Sequence, residues 1–196
     1  MRAGRAALAL AAPVLLVPEP APAHPHIWLE ARVGFELEFG ALVAIDMTWR
    51  FDPMLSELLL LDYDRDRDGR FDAEEAERLL PAIYDGLILE GYYAHLELAG
   101  AKQPITEADG FSVRIEDGLV LYNFKMHLPE PVDPAETEVA FAVYDETIFV
   151  QIDLALTGLA IVGDDGRCAL EVVPDPYNPY YYGSQPTKMV MACRPL

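Results

Sequence analysis

HIWLEARVGFELEFGALVAIDMTWRF, residues 26–51, decides the fold class. Ile27, Leu29, Ala31, Val33, Phe35, Leu37 and Phe39 fall on one side of an alternating pattern, and His26, Trp28, Glu30, Arg32, Glu36 and Glu38 on the other. A period of two is that of a strand with one buried face. Gly40 turns the chain, and a second alternating run follows with Val43, Ile45, Met47, Trp49 and Phe51 directed inward. The two runs predict a long β-hairpin.

Outward from this hairpin the rest of the chain is strand-rich. Strands are expected at 92–98, 111–115, 119–128, 138–144, 147–156, 169–173 and 188–193. Asp117-Gly118 is a tight-turn pair, and Asp145-Glu146 is expected to close another hairpin. The prolines at 129, 131 and 174–179 mark loops. The predicted fold is mainly β with a helical insertion (α+β), an antiparallel sandwich-like domain over residues 24–196, with the insert at about 53–90.

The insert holds the most specific chemical signal. Residues 64–75 read DRDRDGRFDAEE, with carboxylates at positions 1, 3, 5, 9 and 12: Asp64, Asp66, Asp68, Asp72 and Glu75. Calcium takes roughly six to eight oxygens at about 2.3–2.6 Å, and alternate residues of a tight loop can turn carboxylates inward. Gly69 supplies the sharp turn, Arg70 needs to offer only its backbone carbonyl, and Glu75 closes the shell from the next helix. The pattern is that of an EF-hand loop and points to calcium. The alternative is a solvated Asp-rich turn, in which five converging carboxylates would repel one another. Arg65, Arg67 and Arg70 are expected to weaken the affinity, and the unpaired loop reads as a structural clip rather than a sensor. Pro53 opens the first helix of the insert. The second carries an apolar stripe of Ala76, Leu79, Leu80, Ile83 and Leu87, with Pro81 expected to kink or split it.

At the N-terminus, Arg2 and Arg5 precede an apolar run from Ala6 to Val17, and Ala21-Pro22-Ala23 fits a small-x-small cleavage site. Residues 1–23 are therefore expected to be a signal peptide that exports the chain to the periplasm. No later run approaches the roughly 20 apolar residues of a membrane span, so no membrane insertion of the mature chain is expected. Lys and Arg total 14 against 33 Asp and Glu, a net charge of −19 at pH 7. That balance opposes binding to nucleic acid or anionic lipid and suits a chain that handles cations. Cys168 and Cys193 are expected to form one disulfide in an oxidising compartment.

Cleavage after Ala23 would start the mature chain at His24-Pro25-His26. A terminal histidine offers an α-amine and an imidazole to copper, nickel, cobalt or zinc, and His26 adds another nitrogen. Pro25 has no amide N–H, which blocks a square-planar site built on deprotonated amides. A flexible terminus equally accounts for two histidines. His95 and His127 both fall on the polar side of their strands, as isolated surface histidines do.

The His24-Pro25-His26 start, Trp49-Arg50-Phe51-Asp52, the 64–75 loop and Asp145-Glu146-Thr147-Ile148-Phe149-Val150 together resemble an uncharacterised periplasmic family. Its members are domains of unknown function, often labelled as the periplasmic component of an uncharacterised ABC-type transport system. The resemblance covers essentially the whole mature domain. Trp28 and Glu30 stand where Phe and Asp are expected, a change that leaves the motif intact. The members are often encoded near nickel/cobalt-type exporters, which implies a metal-linked role with a membrane metal transporter as partner.

The function expected on these grounds is a calcium-stabilised periplasmic metal-binding accessory protein, linked to transition-metal transport. The alternative is a calcium-stabilised binding module for a protein or glycan ligand, using the aromatic stretch 177–182 (YNPYYY), which otherwise reads as a loop packed on the sandwich. Gly-x-Ser-x-Gly, His-Glu-x-x-His, a phosphate loop and a suggestively spaced Cys/His pair are all missing, so catalysis is not expected.

Overall fold

The computed structural model describes residues 26–175 and 187–195. Its first element is the anticipated hairpin: β1 (Ile27–Glu38) pairs antiparallel with β2 (Ala41–Phe51). Leu29, Ala31, Val33, Phe35 and Leu37 are buried, as their alternation demands. Two positions depart from it. Phe39 lies in the turn at φ 51 with Gly40 at φ 87, a pair of left-handed residues of the kind that closes tight hairpins, and its ring is fully exposed. Beyond the turn, Leu42 and Ala44 are buried beside Ile45, whereas Val43 is half-buried. Against β1, Leu37 pairs with Leu42 and Glu36 with Ala44, so Val43 is one inserted residue and the inward set moves.

Helix α1 (Pro53–Tyr63) follows directly, with Asp52 at its cap accepting the Met54 and Leu55 amides. Helix α2 (Ala73–Leu89) runs through Pro81 as one element, so the expected split does not occur. Leu79 and Leu87 are buried on the predicted stripe, and that anchorage offsets the lost backbone hydrogen bond.

The remaining strands are β3 (Ala94–Leu98), β4 (Ala101–Gln103), β5 (Glu107–Glu116), β6 (Leu119–Val132), β7 (Val139–Val143), β8 (Val150–Leu154), β9 (Ala160–Val162), β10 (Cys168–Pro174) and β11 (Thr187–Cys193). They form two sheets. One has the order β5-β6-β2-β1-β8 with β9 also on β1, and the other β10-β11-β7-β3-β4. Phe35 of the first meets Phe141 of the second edge-to-face at 6.0 Å, and Trp49, Tyr122, Met126, Leu96 and Met189 fill the space between the sheets. The architecture is a mainly β, two-sheet sandwich with a helical pair, an α+β fold.

The sandwich is not wholly antiparallel. β8 and β9 both run parallel to β1, at Ile27–Ala31 and Gly34–Glu36, with a helical turn at Leu156–Gly158 between them. The predicted hairpin at Asp145 does not form either, because β7 and β8 belong to different sheets. Asp145 instead holds the corner between them. Its buried carboxylate accepts the Thr147 amide and hydroxyl (2.7 Å each), the Phe149 amide (3.0 Å) and the Val150 amide (2.9 Å). β6 runs on through Pro129 and Pro131, predicted as loop. Its pairing with β5 reaches only His127, and its pairing with β2 passes from His127 straight to Val132, so neither proline has a ladder partner.

Cys168 and Cys193 face each other across β10 and β11 and are disulfide-bonded. Among the described residues no helix is long and apolar enough to cross a membrane. The proposed signal segment, His24 and the 177–182 aromatics lie outside the described residues.

Candidate metal centre

The acidic loop joins α1 to α2, and both its ends are fixed by packing. Ser56, fully buried on α1, accepts the Val120 amide at 3.0 Å and so pins α1 to β6. Phe71 packs against the core from inside the loop. Between these anchors the backbone turns through Arg67 at φ 60 and Gly69 at φ 77, conformations that favour glycine at the second position.

Carboxylates hold that turn. Asp64, only 7% exposed, accepts the Asp68 amide (3.2 Å) and the Gly69 amide (2.9 Å). Asp66 accepts the Asp68 amide at 3.1 Å, and Asp68 accepts the Arg70 amide at 2.8 Å. As a result, oxygens of Asp64, Asp66 and Asp68 lie within 4.8 Å of one another. The Asp68 amide favours the charged form of Asp66. Desolvation and the charges of Asp68, Glu75 and Asp64 outweigh it and hold the Asp66 carboxyl above its ordinary value.

Glu75 is 3% exposed, and its two oxygens bridge the loop ends, accepting the Arg65 amide (2.6 Å) and the Asp72 amide (3.0 Å). Asp72 returns a bond from its Oδ1 to the Glu75 amide at 2.9 Å, completing a capping box on α2. Three of the five expected carboxylates therefore converge, while Asp72 and Glu75 cap the helix beside them. A carboxylate with two oxygens has about four acceptor sites, so Glu75 retains capacity after two amide bonds.

Among the described residues, the ion pairs near the loop run from Arg65 and Arg78 to Glu74, and none reaches Asp64, Asp66, Asp68, Asp72 or Glu75. Arg70 contributes its amide to the turn. The donor set is thus all oxygen, anionic and without a side-chain cation, which fits a hard divalent ion.

Among the described residues the histidines do not converge. His26 is exposed, with its ring 4.9 Å from Phe149. His95 stacks flat on Tyr144 at 3.5 Å, and its Nε2 lies 3.0 Å from the Tyr144 carbonyl oxygen. Burial pushes its imidazole below the ordinary value, against the opposing pull of that carbonyl. His127 Nε2 lies 3.0 Å from Asp109 Oδ1, on the other sheet. His95 and His127 thus occupy strands of opposite sheets, each on the face away from the core.

Sequence reasoning missed Ser56 and the corner role of Asp145. A serine inside a leucine-rich helix, and an Asp-x-Thr between two strands, were the available signals.

The family model described as "Protein of unknown function (DUF1007)" matches residues 9–186. The chain is also 31% identical over 127 residues to an uncharacterised 15.5 kDa protein encoded in the trpE 3′ region of Spirochaeta aurantia, covering 64% of this chain and 90% of that protein.

Proposed function

Since the chain belongs to the DUF1007 family, whose function is unknown, we propose a role from the site itself: a calcium-stabilised, metal-binding accessory protein of the periplasm. The observation that carries this reading is the convergence of Asp64, Asp66 and Asp68 beside the buried Glu75, with no arginine paired to any of them. Asp64, Asp66, Asp68 and Glu75 would hold the ion, with Asp72 and the Arg70 carbonyl in reach along the chain. Bound calcium supplies positive charge that relieves the mutual repulsion of these carboxylates and fixes α1 against α2.

The disulfide supports an oxidising compartment. A transition-metal role, with His24 and His26 as ligands and a membrane metal transporter as partner, rests on the sequence start and belongs to the same proposal. The protein acts in it by binding, without catalysis.

Two measurements test it. Calcium at about 100 times its dissociation constant stabilises a fold by about 2.7 kcal/mol, which for a chain of this size raises Tm by about 5–10 °C. The rise should vanish in Asp64→Asn. Protein with a native His24 terminus should bind one equivalent of nickel, cobalt, copper or zinc with a dissociation constant near or below about 1 μM. No Tm response to calcium removes the first half of the proposal, and no metal retained by the native terminus removes the second.

A further inference from the structure

One edge of the first sheet leaves half of its backbone groups unused. β8 (Val150–Leu154) pairs with β1 on one side and with no described strand on the other. The Ile27 amide donates to the Phe149 carbonyl at 3.3 Å, and the Ala155 amide to the Ala31 carbonyl at 2.9 Å. Phe149, Gln151, Asp153 and Ala155 therefore turn their backbone groups toward β1, and Val150, Ile152 and Leu154 turn theirs outward. The Asp145 carboxylate takes the Val150 amide at 2.9 Å. The amides and carbonyls of Ile152 and Leu154 have no partner among the described residues.

Native proteins usually blunt such an edge, because an open row of amides recruits other chains. The other edges show how. β5 is bulged between Asp109 and Ser112, where Tyr84 of α2 meets Phe111. β4 and β9 have three residues each, and β10 ends at Pro174. β8 has neither proline, lysine nor a register shift. Both its ends are also held in place, by the bonds to Asp145 at its entry and by Ala155 on Ala31 at its exit. An edge fixed in this way loses little freedom when a partner docks.

Side chains narrow the occupant. Ile152 and Leu154 pack against the core yet are only half-buried, and Phe149 and Leu156, at either end of the strand, are 50% and 63% exposed. Apolar residues on an added strand would cover this row. On the outer face, Asp153 is exposed and lies directly beside Glu30 of β1. It accepts the Gln151 side-chain amide at 3.0 Å, and no cation pairs with it among the described residues. Opposite charges on neighbouring strands attract and like charges repel, so a basic residue is favoured next to Asp153. A second copy of the chain would instead bring another net charge of −19 to the same edge.

We infer that the outer edge of β8 is a docking site for an extended segment of a partner protein, in which apolar residues alternate with arginine or lysine. The segment adds to the sheet as a further strand. Its backbone bonds the free groups of Ile152 and Leu154, its apolar side chains continue the inner face, and its basic side chains meet Asp153. The site uses no residue of the acidic loop and needs no metal.

The test uses the full chain, labelled with nitrogen-15, and the peptide acetyl-Thr-Val-Arg-Val-Arg-Val-Thr-amide as probe. On titration the Ile152 and Leu154 amide signals should move downfield and saturate, with a dissociation constant below about 1 mM. Hydrogen exchange at the same two amides should slow by about ten-fold or more. The peptide with glutamate in place of both arginines should bind at least about ten-fold more weakly, and so should the arginine peptide to Asp153→Lys. Ile152 donates nothing to β1, so Ile152→Pro leaves that ladder intact and should lose the peptide. Ile152 and Leu154 signals that stay in place up to about 5 mM peptide overturn the inference. Equal binding of the glutamate peptide, or undiminished binding by Asp153→Lys, does so too. Protection of these amides that grows with protein concentration alone would assign the edge to a second copy, and overturns it as well.

Discussion

The Arg65 amide donates to Glu75 Oε1 at 2.6 Å, across ten residues of sequence. The opposite oxygen of the same carboxylate takes the Asp72 amide. One buried side chain thus latches the exit of α1 to the entry of α2. Removing it leaves two amides without their acceptor. Glu75→Ala should therefore destabilise the protein by about 1.5–3 kcal/mol in metal-free buffer, measured by urea unfolding. A loss below about 0.5 kcal/mol would mean that water replaces the latch at no cost.

Ser56 ties the same insert to the sandwich. Its hydroxyl is fully buried and accepts the Val120 amide. Ser56→Ala orphans that amide at the cost of a buried unpaired donor, about 1–3 kcal/mol. The check is a lower urea midpoint with an unchanged slope. Because the bond joins α1 to β6, hydrogen exchange at Val120 should also accelerate.

Much of this fold was legible because alternation is a strong signal. The β1–β2 hairpin, the strand-rich remainder and the α2 stripe all follow from periodicity. What periodicity cannot encode is which sheet receives a strand. Asp145-Glu146 looks like a hairpin turn, yet Asp145 collects four local donors and swings β8 into the other sheet, parallel to β1. The bulge at Val43 that buries Leu42 and Ala44 shifts one residue against β1 and leaves no compositional trace. At the site, the Asp64–Asp66–Asp68 cluster was readable from spacing alone. The Ser56–Val120 bond was not, since it depends on how α1 lies against β6.

The disulfide closes the last hairpin across 25 residues of separation. In the chain-entropy picture it contributes about 3 kcal/mol, chiefly by restricting the unfolded chain. A Cys168→Ser/Cys193→Ser double variant should lose about that amount in equilibrium unfolding. Its calcium response should stay unaltered, because the loop lies between α1 and α2 and the bridge between β10 and β11.

His95 gives a pH dependence with a definite sign. Burial against Tyr144 lowers its folded value, while the unfolded imidazole titrates near the ordinary ~6.5. The fold prefers the neutral ring, so as pH falls below ~6.5 the unfolded chain takes up a proton that the folded chain resists. Stability from this group is present above that range and declines as pH drops toward the folded value. Comparing wild type with His95→Gln between about pH 7.5 and 5 isolates it: the wild type should lose more stability than the variant over that interval.

The central claim is that Asp64, Asp66, Asp68 and Glu75 form a calcium site. Calorimetric titration of calcium into metal-free protein tests it most directly, repeated on Asp66→Asn and Glu75→Gln. One equivalent should bind, with a dissociation constant in the micromolar to millimolar range, weakened by about ten-fold or more in each variant. The absence of binding up to about 10 mM calcium, or equal binding by wild type and both variants, would contradict the account.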